Sequence, residues 1–563
     1  PNNLHQKTNK TKRQTNEEIM SLDQAIQQSL TTYLHKTYSA EGIQVVFNVP
    51  KQKEHGDFST NVAMVSSKKC GKNPRELAQD IIDHCEFPAF VEKVEIAGPG
   101  FLNFFVSNTS VYQIIHDIHE QKERYGYNTS GNGAKTLVEF VSANPTGPLT
   151  VGHGRNAVLG DTFSRILEAN GNHVDREYYF NNAGRQMRVL GHSVYHRYMA
   201  LYHPDHEMPD GHYMGEYIID IAKKVQAEHG DSLLNQIDNE IFKKTAEAEI
   251  FIDIKKTLDR LNIVHDSFFN EQDLYDSGKI NAILNTFKER ELSYQKEDAT
   301  WLKTSELGFE QDRVIVKNSG EPTYRLPDMA YHKDKFDRGY EKIIDIFGAD
   351  HIDAYPDVIA AVKELGYNVD QIKVIIYQFV TLLEKGEVVK MSTRAANFVT
   401  LDELMDKVGS DVVRYFFNMR SVNTHLNFDL DIATKQSDDN PVYYVQYAHA
   451  RICSILRRAE AKSLHSSADH LELLTAEEEL GLIKYLGEYP KLILALGETL
   501  EQQKLCTYVY DLASLYHKFN HECRVLDEEN EALSSARLYL IQSVKQVLAN
   551  AFYILGISAP ERM

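Results

Sequence analysis

Apolar positions begin to recur at Met20. Ser21 and Gln24 form a capping-box pattern, and Leu22, Ala25, Ile26, Leu30, Tyr33 and Leu34 then step by three and four, which predicts a helix. Residues 43–49 and 91–96, rich in Val and Ile, predict short strands. Between them, His55 to Asn61 reads as a turn followed by a helix, and the Gly98-Pro99-Gly100 loop leads into an apolar run from Phe101 to Val106. Residues 20–125 therefore read as a small mixed α/β domain. Residues 1–19 have almost nothing to bury and read as a disordered extension. They hold no apolar stretch of a secretory signal, and Lys7, Lys10, Lys12 and Arg13 read as a solvated arm rather than a nucleic-acid tether.

A polar, glycine-bearing linker at 126–134 precedes a strand at 136–141. The loop 142–149 then leads to Thr150-Val151-Gly152-His153-Gly154 and a helix with Val158, Thr162, Phe163, Ile166 and Leu167 on one face, closed by Gly171. Strand, glycine-rich turn and helix make the opening unit of a doubly wound, Rossmann-type parallel sheet. A charged stretch at about 205–300 reads as a mostly helical insertion. Strand signals at 343–347 and 372–377 flank a helical pattern from Asp357 to Leu365, which is a βαβ crossover. After Pro441 nearly everything is helical, with Val445, Ala448, Ile452, Ile455 and Ala459 as a buried stripe. The predicted domains are 20–125, an α/β domain at 135–440 and an all-α domain at 441–563.

Composition narrows the class. The chain has 563 residues, of which 42% are apolar and 25% charged, and a formal net charge of −20. That is globular composition, and the acidic balance argues against non-specific coating of nucleic acid while leaving room for local basic patches. No apolar run reaches the roughly 18 residues of a membrane span. Five cysteines lie scattered with no C-x-x-C spacing, which fits a reduced, cytoplasmic setting and suggests neither a zinc site nor a disulfide frame.

Three segments carry candidate chemistry. Gly152, His153 and Gly154 open a helix, whose first N–H groups and partial positive charge attract phosphate, and His153 there can donate to charge on a phosphoryl group. Lys390, Met391, Ser392, Thr393 and Arg394 place two cations around a small hydroxyl, which suits a triphosphate. Gly348, Asp350 and His351 stand at the carboxyl end of a strand, where ligands of doubly wound sheets bind. Taken singly, each has a bland reading as a tight turn or a solvated loop.

Together these residues resemble a known family. Pro145 to His153 resembles the HIGH signature of class I aminoacyl-tRNA synthetases, and Lys390 to Arg394 their KMSKS loop. Within the class the match is to arginyl-tRNA synthetases, through Glu139 to Pro145, Tyr324 to His332, Asn397 to Leu401, Tyr443 to Arg451 and the closing Ser558 to Met563. The resemblance spans residues 20–563. Thr150 stands at the first histidine of HIGH and Thr393 at the second lysine of KMSKS, and neither threonine can supply a positive charge. Asn182 stands where the family commonly has an acid.

The resemblance implies ATP-dependent ligation of L-arginine to tRNA(Arg) through an arginyl-adenylate, with Mg²⁺ accompanying ATP and no structural metal. It implies that His153, Thr150, Lys390, Ser392 and Arg394 serve catalysis, and that Gly152, Gly348, Asp350 and Met391 join them around ATP. Glu139, Ser142, Asn144 and His351 match positions around the α-amino and α-carboxyl groups. Tyr324, Asp328 and Glu271 match positions around the guanidinium, whose fork suits carboxylate acceptors. Tyr443, Tyr447, Arg451 and Arg458 share a face of the first C-terminal helix that can stack on unpaired bases. The resemblance further implies that 20–125 contacts the tRNA elbow, that 441–563 binds the anticodon, that adenylation requires bound tRNA, and that the protein is a monomer. The competing reading is a synthetase-like RNA-binding paralogue that has lost catalysis.

Overall fold

The computed structural model describes residues 22–48, 50, 55–349, 355–389 and 399–563. These fall into two compact units. The first comprises the described residues of Pro1–Gln121 with Leu464–Gly487 and Val525–Ser543; the second comprises Lys122–Ser463, Glu488–Arg524 and Val544–Met563. The expectations placed on residues 1–19 and on Ser21 lie outside the described residues.

In the first unit, the helix Leu22–Tyr38 buries Ile26, Leu30 and Leu34, as its periodicity predicts. An antiparallel sheet runs in the order Phe47–Asn48, Phe58–Thr60, Phe101–Val106, Val91–Ala97. The strand expected over 43–49 is confined to Phe47–Asn48. The turn-then-helix reading of His55 to Asn61 is also corrected, since Phe58–Thr60 is a strand and the helix starts at Val62. Three residues are too few to show alternation, and the hydrogen bonds that make them a strand come from Phe101–Val106, far along the chain. Gly56 has φ +79°, and a Cβ there would lie 2.5 Å from the Phe104 carbonyl oxygen, so only glycine lets this turn approach the sheet.

The second unit is built on five parallel strands in the order Ile372–Tyr377, Lys342–Gly348, Lys135–Glu139, His173–Phe180, Ser267–Asn270. The first strand in the chain is central, and the winding direction reverses between it and Lys342–Gly348. This is the doubly wound order, and it opens a crevice outside the strand ends at that reversal. The helix Tyr355–Glu364 makes the expected crossover. One reading changes: the stretch 205–300 is helical over Glu216–His229 and Glu240–Arg260, but Ser267–Asn270 is the fifth strand of the sheet, and Ser293–Lys296 and Ala299–Leu302 pair antiparallel. Ser267–Asn270 is a half-buried edge strand of four residues, and its pattern alone does not separate it from the charged helices around it.

Buried charge ties the α/β part of this unit to its C-terminal helices. Asp161 receives Arg165 at 2.8 Å and Arg414 at 2.5 Å, and Arg414 also donates to the backbone oxygens of Leu261 (2.6 Å) and Leu555 (2.8 Å). Gly556, at φ +69°, closes this nest, and a Cβ there would stand 2.1 Å from the Arg414 guanidinium. Gly556→Ala is expected to cost on the order of 3–5 kcal/mol by displacing a buried, paired cation, measured as a lowered thermal midpoint. An unchanged midpoint would show that the nest can relax. Among the described residues no helix is long and apolar enough to cross a membrane.

Candidate active site

The central strand ends at Glu139, which is buried. Beyond it the backbone turns sharply, with Val141 at φ +68° and Ser142 at φ +43°. Two consecutive non-glycine residues in the left-handed region, one of them β-branched, are strained by roughly 1–2 kcal/mol each. The turn aims the Ser142 hydroxyl back at the strand. Its Oγ donates to Glu139 Oε1 at 2.9 Å and accepts the Tyr179 N–H at 3.2 Å. Asn144 is exposed, donating to Gln186 Oε1 (2.9 Å) and accepting the Asn181 N–H (3.0 Å).

Thr150 is the N-cap of the helix Val151–Ala169. Its backbone N–H donates to His153 Nδ1 at 3.2 Å. An amide can only donate, so Nδ1 is the acceptor and the neutral imidazole carries its proton on Nε2. Thr150 thus orients the histidine through its backbone without adding charge. Among the described residues a Cβ on Gly152 would meet only Thr150 Oγ1, at 3.7 Å, which leaves room there for a ligand to approach the backbone. Gly154 serves packing instead: a Cβ there would lie 2.5 Å from Leu401 Cδ1. Thr400 pairs antiparallel with Thr150, and the Leu401 N–H donates to the Leu149 oxygen at 2.8 Å. The chain that follows residues 390–398 therefore lies against the first signature. Lys390, Met391, Ser392, Thr393, Arg394, Asp350 and His351 themselves lie outside the described residues. Gly348 ends its strand, level with Tyr377 on the neighbouring one.

A cluster of carboxylates lies at these strand ends. The helix Arg325–Asp337 packs Leu326, Met329 and Ala330 among Ile280, Ile283, Phe287, Val358 and Ala361. Asp328, His332 and Lys335 occupy another face. Lys335 Nζ bridges Glu139 Oε2 and Asp345 Oδ1, both at 2.6 Å, and His332 Nε2 lies 2.9 Å from Asp345 Oδ2. Burial works against the Lys335 ammonium, but Asp345 and Glu139 outweigh it and hold its pKa at about 12. Burial raises the Glu139 carboxyl. At Asp345, burial is overcome by Lys335 and His332, and the carboxyl stays below its usual range.

Asp328 has no such cation. Burial, reinforced by Glu139 and Glu271 and only partly offset by His332, pushes its pKa up to about 7. Its side chain lies deep in the protein yet keeps an open face. Glu271 is raised by burial as well. It accepts the Tyr179 hydroxyl at 2.7 Å and the Asn181 amide at 2.8 Å, with Tyr275 as a third donor. Among the described residues no cation pairs with the side chain of Asp328 or Glu271. The result is a negatively lined slot short of one cation.

The structure thus brings together Glu139, Ser142, Asp328 and Glu271 from three sequence segments. Tyr324 stands apart: it is 57% exposed, with the Arg325 guanidinium 4.9 Å from its ring. The sequence reading missed Tyr179, Lys335, His332 and Asn181. Asp328, His332 and Lys335 step by four and three along one helix, a signal that could have found two of them. Tyr179 meets Glu271 across 92 residues, and nothing local announces that bond. On the first C-terminal helix, the rings of Tyr443 and Tyr447 stack 6.2 Å apart, Arg451 lies 6.0 Å over Tyr447, and His517 of a neighbouring helix stacks on Tyr447 at 5.9 Å. Arg451 and Arg458 are exposed.

Comparison with known proteins fits this geometry. The family description "tRNA synthetases class I (R), catalytic domain" matches residues 114–415, "Arginyl tRNA synthetase N terminal domain" matches 22–106, and "DALR anticodon binding domain" matches 445–563. The chain is 47% identical over 545 residues to an arginine–tRNA ligase of Pelodictyon phaeoclathratiforme, covering 95% of this chain and 99% of that one. It is 49% identical over 533 residues to an arginine–tRNA ligase of Chlorobium phaeovibrioides, covering 93% and 96%. In fold it is similar to the Thermus thermophilus arginyl-tRNA synthetase, with a TM-score of 0.75 at 21% identity, covering 96% of this chain and 99% of that one.

Proposed function

The chain belongs to the class I arginyl-tRNA synthetases and acts as an arginine–tRNA ligase, and on that premise we propose how its residues divide the work. The enzyme joins L-arginine to tRNA(Arg) in two steps. The arginine carboxylate attacks the α-phosphorus of ATP and expels pyrophosphate. A terminal ribose hydroxyl of tRNA then attacks the arginyl-adenylate and releases AMP. Neither step needs a covalent enzyme intermediate, so the protein's contribution is positioning and charge stabilisation.

His153 Nε2 and the helix N-terminus face the α-phosphate, with Gly152 allowing close approach. Lys390, Met391, Ser392 and Arg394 close over the β- and γ-phosphates, and Gly348 and Asp350 border the ribose. Mg²⁺ carried by ATP would neutralise charge on the polyphosphate. Asp328 and Glu271 take the guanidinium, while Glu139, Ser142, Asn144 and His351 hold the α-amino and α-carboxyl groups. The observation that carries this assignment is the slot itself, where burial raises two carboxyls beside a third that already has its lysine. A lysine substrate would leave part of that acceptor set unpaired, which gives discrimination without an editing site. Tyr443, Tyr447, Arg451 and Arg458 bind tRNA, as part of an all-α anticodon-binding domain at 441–563, and the domain at 20–125 reaches its elbow. The enzyme works as a monomer in the cytoplasm.

The test is ATP–pyrophosphate exchange with each amino acid, with and without tRNA(Arg). Exchange with arginine, stimulated by tRNA and absent with lysine, is expected. No exchange with arginine plus its tRNA would remove the assignment.

A further inference from the structure

Asn156 is buried, lies one turn beyond His153, and belongs to neither signature. The central strand and Lys342–Gly348 stay in register as far as Glu139 against Asp345. Beyond that pair the two strands part, and the crevice begins. In the gap stands the Asn156 carboxamide. Its Oδ1 accepts the Val141 N–H at 2.7 Å, and its Nδ2 donates to the Ile346 carbonyl oxygen at 2.9 Å. One donor and one acceptor on a planar amide replace the peptide unit that the ladder lacks there. Val141 is also the first of the two residues in the left-handed region, a conformation that persists only where surrounding contacts over-determine it.

We propose that Asn156 is a positioning residue for arginine: by bridging the parted strands it fixes the crevice width and locks the Val141–Ser142 turn, so that Ser142 and Glu139 hold a common geometry toward the amino acid. The chain of contact is continuous, from Asn156 to Val141, along the backbone to Ser142, and from Ser142 Oγ to Glu139 Oε1. That path ends on the two residues assigned to the amino acid, so arginine binding depends on Asn156 more than ATP binding does. The inference rests on the assignment of Glu139 and Ser142 to the α-amino end of the substrate.

Asn156→Ala should raise KM for arginine about 30-fold in the exchange assay, with KM for ATP changed by less than roughly threefold, because the strained Val141–Ser142 turn loses its clamp while the strand bearing Gly348 keeps its own ladder. Adding Val141→Gly to Asn156→Ala should recover a large part of the loss, since glycine takes a positive φ without a clamp. Equal increases in both KM values, or no recovery by the glycine, would overturn the proposal. Should Asn156→Ala not fold alone, as read by circular dichroism, the double variant is compared with Val141→Gly. KM for arginine must then be higher in the double variant, and equal values overturn the proposal. Absence of arginine-specific exchange in the unaltered protein is a separate outcome, which removes the slot assignment itself.

Discussion

His153→Ala lowers the rate of arginine-dependent pyrophosphate exchange on the order of 10²–10³-fold, while tRNA affinity stays within a factor of about three. The expectation follows from the hydrogen bond that orients the ring. With Nδ1 occupied by the Thr150 N–H, the neutral imidazole presents Nε2–H from the first turn of a helix whose N-terminus is itself electropositive. A donor already fixed before charge develops reorganises little during the reaction, which is why its loss falls on the transition state. His153→Asn keeps a donor of similar reach and is expected to recover part of the rate. The readout is single-turnover adenylate formation beside a tRNA binding isotherm. Unimpaired chemistry, or a collapse of tRNA binding, would contradict the role.

Asp328→Asn lowers kcat/KM for arginine on the order of 10³-fold, because a guanidinium entering a desolvated slot without its carboxylate loses roughly 4 kcal/mol. KM for ATP moves little. The pH dependence adds a second signature. The folded, empty site holds the Asp328 proton up to about pH 7, against an ordinary value of 3.8, chiefly because burial disfavours the charge. Arginine binds the ionised form. Its apparent affinity should therefore fall about tenfold for each pH unit below 7 and level off above it. In Asp328→Asn that slope should vanish. Stability follows the same linkage with the opposite sign. Between pH 4 and 7 the folded, empty protein binds more protons than the unfolded chain, so ionisation of Asp328 destabilises it as pH rises. Arginine offsets that desolvated charge, and it should raise the thermal midpoint more at pH 8 than at pH 6. Parallel losses for arginine and ATP, or a pH-independent arginine KM in the unaltered protein, would count against a guanidinium partner.

Elements with a strong local pattern stand where the chain predicts them. The helices Leu22–Tyr38, Val151–Ala169 and Pro441–Ala461 carry long apolar stripes, and the strands Lys342–Gly348 and Ile372–Tyr377 are Ile-rich runs interrupted by Asp345 and Lys373. The glycine–histidine turn is equally local, since an N-cap, a glycine and an imidazole three residues on suffice to build it. The short strands Phe58–Thr60 and Ser267–Asn270 escaped notice, because a strand of three or four residues is made by its partner rather than by its own composition.

The amino-acid order alone settled the helices and strands of strong period and the glycine–histidine turn at a helix start, while the family resemblance it carries singled out Asp328 and Glu271. Only long-range packing set the surroundings of those acids. It placed Lys335 between Glu139 and Asp345, set Tyr179 and Asn181 on Glu271, left Asp328 without a paired cation among the described residues and moved Tyr324 out to solvent. A side chain's type fixes what it can donate, accept or ionise, but its protonation and its partners depend on local dielectric and distance. Both are set by segments that meet only when the chain folds.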